Sequence, residues 1–151
     1  LLDDDGNVLI HFDNGAKGIL FASHISVGEE NNLRIRVYGE KGGMEWAQQE
    51  PNTLWLKWPD RPVEMMRTGV GTLSAAAQAH TRIPAGHPEG YLEAFANIYR
   101  NFAYCLQARI AGETVDPVYQ DFPTASDGVR GMLFINRVVE SSQAGAVWTE
   151  F

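Results

Sequence analysis

Cysteine is nearly absent. Cys105 is the single one in 151 residues, so no disulfide closes within the chain, and between Tyr104 and Leu106 in a helical pattern it reads as a small packed hydrophobe rather than a reactive thiol. Apolar runs long enough to cross a bilayer, about 18 residues, are lacking, and so is a charged-then-apolar leader with a cleavage site. The sequence therefore predicts neither a membrane span nor a signal peptide, and a cytoplasmic setting. Basic clusters are missing as well: Lys and Arg number 12 against 19 Asp and Glu, the net charge is −7 and the pI is near 5.0. That balance offers no footprint for a phosphate backbone. The histidines, His11, His24, His80 and His87, show no metal-ligand spacing, so no metal site is expected. No Ser-His-acid triad or carboxylate pair stands at telling positions, which leaves a hydrolase or isomerase without support. The chain opens on Leu1 and enters a strand pattern almost at once, the expectation being a piece of something longer.

What the chain does have is 44% hydrophobic and 21% charged residues, enough for one domain over residues 1–151 with a sizeable core. Its organising stretch runs from Gly86 to Gly112. Leu92, Phe95, Ala96, Tyr99, Phe102, Ala103, Leu106 and Ile110 recur at spacings of three and four, the period of one helical face. Pro88 and Glu89 suit a first turn, and Arg109 and Gly112 suit the other end. Burying each large side chain of that stripe is worth roughly 1.5–3 kcal/mol, so the face is predicted to dock on a sheet.

Upstream, Val8–Asp13 and Ala16–Val27 are β-prone runs around Asn14-Gly15, the dipeptide favoured in type I′ hairpins. The polar loop Gly28–Asn32 leads into a strand where Leu33, Ile35 and Val37 alternate with Arg34, Arg36 and Tyr38, the first set facing a core. Strands MEWAQQE, TLWLKW and VEMMRT follow through connections too short for parallel crossovers, which predicts an antiparallel meander. Ser74–Ala79 suggests a short helix, and Glu113–Phe122 a connector extended around Val115–Tyr119. A second long helix begins with Thr124 and Asp127 in an approximate capping box, with Val129, Met132, Leu133 and Val139 as its apolar face. Gly128 and Gly131 each cost about 1 kcal/mol of helix propensity relative to alanine, which close packing against another element would offset. AVWTEF is read as a final strand.

Strands first and long helices late predict an α+β class: an open, largely antiparallel sheet with helices on one face. Trp46, Trp55, Trp58, Met65 and Met66 are spread over the meander. They either fill the single core or form an interaction surface on the other face.

The order of hairpin, RVYGEKGGMEW, RIPAGHPEGYLEAF and PTASDGVRGMLFINRVVESSQAG resembles the C-terminal domain of the Gfo/Idh/MocA oxidoreductases, the glucose-fructose oxidoreductase and inositol dehydrogenase family. The likeness covers nearly the whole chain. It implies that an N-terminal Rossmann domain, which these residues do not form, binds NAD or NADP. It also implies a substrate pocket for sugars, cyclitols and related polyols, and a homo-oligomer, dimer or tetramer, joined through the open sheet face. The family's catalytic lysine sits in an EKP-type motif of the Rossmann domain. Its acid/base histidine, with a nearby aspartate, comes from a segment before the position of Leu1. Neither motif is matched here: Glu40-Lys41-Gly42 belongs to a hairpin turn, and Gly69-Val70-Gly71 lacks the third glycine and the strand-helix setting of a dinucleotide fingerprint. The chain is accordingly expected to hold no catalytic residue, cofactor or metal by itself and not to turn over substrate.

His87 is the first candidate for contact with a polyol, through the hydrogen-bonding versatility of imidazole beside free N–H groups at a helix start; the alternative is a capping or surface histidine. Arg82 and Tyr91 are expected on the same rim, against a surface salt bridge for the arginine and ordinary packing for the tyrosine. Glu30 and Asn31, with Asn32, offer paired hydrogen bonds from the strand-joining loop, or form a solvated turn; the face of His24 is not fixed by alternation. A second function class is a stand-alone interaction module that self-associates through its open sheet.

Overall fold

The computed structural model describes residues 3–151. Two compact units emerge from the chain's own contacts, one made of Leu1–Glu30 with Pro123–Phe151 and the other of Asn31–Phe122.

The first unit begins with a hairpin of β1 (Asp5–His11) and β2 (Lys17–Ser23), paired antiparallel from Asp5↔Ser23 to His11↔Lys17. Its turn is not the type I′ form expected from Asn14-Gly15. That form needs positive φ at both central residues, and only Gly15 has it, at 85°. Instead the Gly15 N–H donates to Phe12 O and the Phe12 N–H to Ala16 O, both at 2.9 Å. This is the longer loop in which a turn is followed by one left-handed residue, and glycine fills that position without steric cost. Val8, Ile10 and Leu20 share one face of the hairpin, while Leu9, Ile19 and Phe21 share the other and are exposed.

Helix α3 (Ala125–Gln143) follows the expected start signal closely. The Thr124 hydroxyl accepts from the Asp127 N–H at 3.3 Å, and the Asp127 carboxylate accepts from the Thr124 N–H at 2.8 Å. Its apolar face is a correction. Val129, Met132 and Leu133 are exposed, whereas Phe134, Arg137, Val138 and Val139 are half-buried and Phe134 meets Phe151 edge-on with ring centroids 5.6 Å apart. Nor are Gly128 and Gly131 explained by close packing, since a Cβ at either would meet nothing within 4 Å. AVWTEF forms no strand: Ala146 turns to φ 61°, the Ser141 hydroxyl donates to Val147 O at 2.6 Å, and Trp148 stacks on His11 at 4.2 Å. A left-handed residue at the entry breaks the pleat that a ladder would need.

The second unit carries the predicted meander. Strands β3 (Arg34–Gly39), β4 (Gly42–Ala47), β5 (Thr53–Lys57) and β6 (Glu64–Arg67) form a four-stranded antiparallel sheet in sequence order. The register puts Ile35, Trp46, Leu54 and Met66 in one row, with Val37, Met44 and Leu56 beside them on the same face. Arg36, Glu45, Trp55 and Met65 line up on the opposite face. The tryptophans and methionines thus divide between both faces. Leu33, Ile35 and Val37 are exposed rather than buried; no apolar side chain among the described residues is fully buried. The Lys57 ammonium donates to the Glu45 carboxylate across β4 and β5.

Helix α1 (Ala75–Ala79) occupies the expected short patch, its first turn capped by Ser74, whose hydroxyl accepts from the Ala77 N–H at 3.2 Å. Helix α2 (Tyr91–Ala111) starts later than predicted, so Pro88 and Glu89 lie before it and Glu93 takes the first-turn role, its carboxylate accepting from the Gly90 N–H at 2.9 Å. It ends at left-handed Gly112, φ 71°, where the Glu113 N–H donates to Ala108 O at 2.8 Å. The connector is not extended around Val115–Tyr119: Pro117–Tyr119 makes one 3-10 turn, opened by the Asp116 carboxylate accepting from the Val118 N–H. No described helix is long and apolar enough to cross a membrane.

Gly128→Ala is expected to stabilise the protein by roughly 0.5–1 kcal/mol through helix propensity. Gly42→Ala is expected to destabilise it by about 1–3 kcal/mol, because the new Cβ would stand 2.7 Å from Lys57 O. Urea unfolding of both variants measures the contrast, and destabilisation by Gly128→Ala would mean that another element covers this helix face. The hydrogen bonds from the Thr124 side chain and then its backbone hold the Asp127 carboxyl below its ordinary range, and the Gly90 N–H does the same for Glu93. A lowered folded value gives stabilisation that is present above the unfolded value and lost as pH falls through the folded one. Thermal melts are therefore expected to weaken with falling pH below about 4, and Asp127→Asn to flatten that dependence.

Candidate functional site

The chemistry-bearing residues of the second unit concentrate where an irregular segment, residues 80–90, is tied to α2. The apolar stripe predicted to anchor this helix is its exposed side: Leu92 and Ile110 are both 78% exposed, and Phe95, Tyr99, Phe102 and Leu106 are exposed as well. The inward side is polar. Asn97 is nearly buried and Asn101 is fully buried, at 0% exposure, one helical turn apart on the same face. A segment without secondary structure leaves backbone groups that must find partners, and amide side chains supply both donors and acceptors.

Asn97 donates from Nδ2 to His80 O at 2.8 Å and accepts the Arg82 Nε–H on Oδ1 at 2.7 Å. Asn101 Nδ2 lies 2.8 Å from His80 Nε2. Its Oδ1 accepts from the Arg100 guanidinium, Nη2 at 3.2 Å, and the same Nη2 donates to Ala79 O at 2.7 Å. From the other side, the buried Glu89 carboxylate accepts the backbone N–H groups of Arg82 and, at 3.3 Å, Ile83. The segment also lies on the loop that leaves β6. A Cβ built on Gly69 would stand 3.2 Å from the Ala85 nitrogen, and Gly69 has φ 69°, so both space and conformation require glycine there.

The sequence candidates take the following places. Arg82 is exposed but held by Asn97, so its Nη groups extend from a fixed Nε. His87 is exposed and lies four residues before α2 begins at Tyr91, not at the helix start beside free N–H groups. Its Nδ1 is 3.2 Å from Pro84 O and 3.3 Å from Ala85 O. Carbonyl oxygens only accept, so Nδ1 carries the proton, and in the neutral ring Nε2 presents an acceptor outward. Tyr91 is exposed on the first turn with its ring 4.8 Å from that of Phe95. Arg82, His87 and Tyr91 thus belong to one continuous stretch of one unit. Glu30 belongs to the other unit, exposed with φ 52°, and Asn31 opens the second unit, its carbonyl accepting from the Leu33 N–H at 2.8 Å. His24 is exposed.

Sequence reasoning missed the residues that do the holding: His80, Glu89, Asn97, Arg100 and Asn101. One signal was available. Two asparagines four apart inside a long helix are poor helix formers, and their shared face opposes the apolar stripe. Gly69-Val70-Gly71 turns the chain between antiparallel β6 and the five-residue α1, beside a hollow of about 360 Å³ lined by Leu73, Gln78 and Thr81. That is not the parallel strand and crossover helix a dinucleotide pyrophosphate requires.

Comparison with known proteins gives consistent matches. The family described as the oxidoreductase family, C-terminal alpha/beta domain, matches residues 2–151. An uncharacterized oxidoreductase, YfiI, of Bacillus subtilis (strain 168) is 34% identical over 150 residues, 99% of this chain and 38% of that protein. Among solved structures, an oxidoreductase from Sinorhizobium meliloti superposes with a TM-score of 0.92 at 43% identity, covering 99% of this chain and 42% of that one. An inositol dehydrogenase homolog from Azotobacter vinelandii, complexed with NADH and myo-inositol, gives 0.89 at 32% identity, covering 99% and 39%. The chain thus spans about two-fifths of the length of these relatives.

Removing the Glu89 carboxylate leaves the Arg82 and Ile83 N–H groups without their acceptor. Glu89→Ala is expected to cost about 1–3 kcal/mol in urea unfolding, with faster amide exchange at residues 82 and 83. Unchanged exchange there would show that this carboxylate does not hold the segment.

Proposed function

The chain belongs to the Gfo/Idh/MocA oxidoreductases, as their C-terminal alpha/beta domain, and from that premise we propose that it is the substrate-binding and oligomerisation part of a cytoplasmic, NAD(P)-dependent dehydrogenase. The substrate class proposed is a sugar, cyclitol or related polyol. The observation that carries this reading is the similarity, over 99% of the chain, to a homolog holding NADH and myo-inositol.

A nicotinamide cofactor held elsewhere in the full-length enzyme would supply hydride-transfer chemistry. The residues of this chain do not fit the dinucleotide, so their part is recognition. Nε2 of His87 accepts a hydrogen bond from a substrate hydroxyl, the Nη groups of Arg82 donate to ring or hydroxyl oxygens, and the Tyr91 phenol does either. Asn31, of the same unit as these three, contributes a further hydrogen bond to the polyol in this reading. Because the lysine and histidine expected to move the hydroxyl proton lie outside the segment, the fragment alone is inactive.

Oligomerisation is assigned to the sheet. Its support is the registered apolar face with Ile35, Val37 and Met44 exposed, a patch of the kind that marks interaction surfaces. The same observation favours the second reading, a stand-alone module that self-associates through this face.

Calorimetry with NAD and NADP on the 151-residue chain and on the full-length product of its gene tests the proposal. Binding to the full-length protein alone is the expected result; binding to neither would overturn the dehydrogenase reading in favour of the module. In the full-length enzyme, His87→Ala is expected to raise KM for a cyclitol such as myo-inositol about tenfold, the size of one lost hydrogen bond, with kcat little changed.

A further inference from the structure

The partners of His80 fix where its proton sits. His80 Nδ1 is 2.6 Å from Ala76 O, an acceptor without a proton, so Nδ1 must be the donor. The other ring nitrogen faces Asn101, whose orientation is fixed independently. Arg100 has only donors, so the Asn101 oxygen must point to it and the Asn101 NH₂ must point to His80. Both ends give one answer: a neutral ring with the proton on Nδ1 and a lone pair on Nε2 accepting from Asn101.

A second ring proton has no place in this arrangement. It would put Nε2–H against the Asn101 NH₂, donor against donor. Rotating the amide by half a turn only moves the clash, because the NH₂ would then face the Arg100 guanidinium. Asn101 is fully buried, so bulk solvent does not relieve either mismatch, and an unmatched buried group costs far more than an exposed one. The charges around the ring do not compensate. Helix α1 carries none, α2 contributes the Arg100 cation beyond the Asn101 amide, and the segment contributes Arg82, bonded to Asn97, and Glu89, whose carboxylate is engaged by backbone N–H groups. The 3-10 turn that contacts both helices brings Asp116, occupied as its cap, and Tyr119.

We infer that His80 is an acid-sensitive latch: neutral, it locks the start of segment 80–90 to α2 through Asn101, and protonation releases that lock and loosens the stretch that carries Arg82 and His87. The His80 carbonyl is tied to Asn97 and its ring to Asn101, so losing the ring contact removes one of the bonds that tie this end to α2 and leaves it on those from Asn97 to His80 O and Arg82 and from Arg100 to Ala79 O. The latch rests on side-chain geometry and holds whether or not His87 meets a substrate.

The test uses the full-length protein. Long-range ¹H–¹⁵N spectra of the histidine rings at about pH 8 are expected to show His80 with its proton on Nδ1. Amide-exchange protection of residues 80–90, corrected for the intrinsic pH dependence of exchange, is followed down to about pH 5, the interval in which histidine changes charge. Protection is expected to fall about tenfold, the size of one lost hydrogen bond. Asn101→Asp supplies a carboxylate that accepts from the protonated ring, so protection in that variant is expected to hold or rise on acidification. A His80 proton on Nε2 at pH 8 would overturn the inference. So would constant protection while the His80 signals titrate, or an Asn101→Asp protein that loses protection as the wild type does. Should Asn101→Asp fail to fold, the wild-type tautomer and protection profile decide the matter without it.

Discussion

The hydrogen bonds between the inward face of α2 and the irregular segment before it are the constraint on which the second unit depends. A helix packed through asparagines, with two arginines reaching past them, gains little from the hydrophobic effect on that side. What it gains is directional: each amide has one donor end and one acceptor end, and the partners of Asn97 and Asn101 are all of the correct kind. Such a network admits one arrangement of the segment, because a shifted register would leave buried amides unmatched. The exposed side chains of Arg82 and His87 inherit their positions from it.

Apolar surface is exposed in each unit, and within α2 the reason is this orientation. With the polar side of α2 turned inward, its apolar stripe is left exposed, and so are Val129, Met132 and Leu133 on α3, Leu9, Ile19 and Phe21 on the hairpin, and Ile35, Val37 and Met44 on the sheet. Contiguous apolar patches of this kind are uncommon on self-sufficient monomers and common where another surface docks. The chain matches about two-fifths of its relatives' length, and apolar stripes lie exposed on several of its elements.

Much of this was legible in the sequence. Alternation gave the meander and its antiparallel order, because the period of two and connections of a few residues leave no other pairing. Thr124 with Asp127 marked the start of α3, and Arg109 with Gly112 the end of α2, since caps act on backbone groups within one turn. The family was legible from GHPEGYLEAF and PTASDGVRGMLFI. Asn14-Gly15 misled about the turn because the dipeptide permits type I′ without excluding a longer loop. AVWTEF misled because β propensity says nothing of whether a neighbouring strand is available.

The sequence by itself determined the six strands, the three α-helices and their order, because period and capping are local and are written in the spacing of the side chains. Only the tertiary structure decided which face turns inward. The three-and-four spacing identifies the apolar side of α2, but to place that side in the core assumes that apolar means buried. Here the partner on the inner side is an unpaired stretch of backbone that needs donors and acceptors. His80, Glu89, Asn97 and Asn101 are scattered over 22 positions, and nothing local relates the tautomer of one ring to the orientation of an amide on another element. That relation exists only once the segment has folded back onto α2 and buried the groups between them.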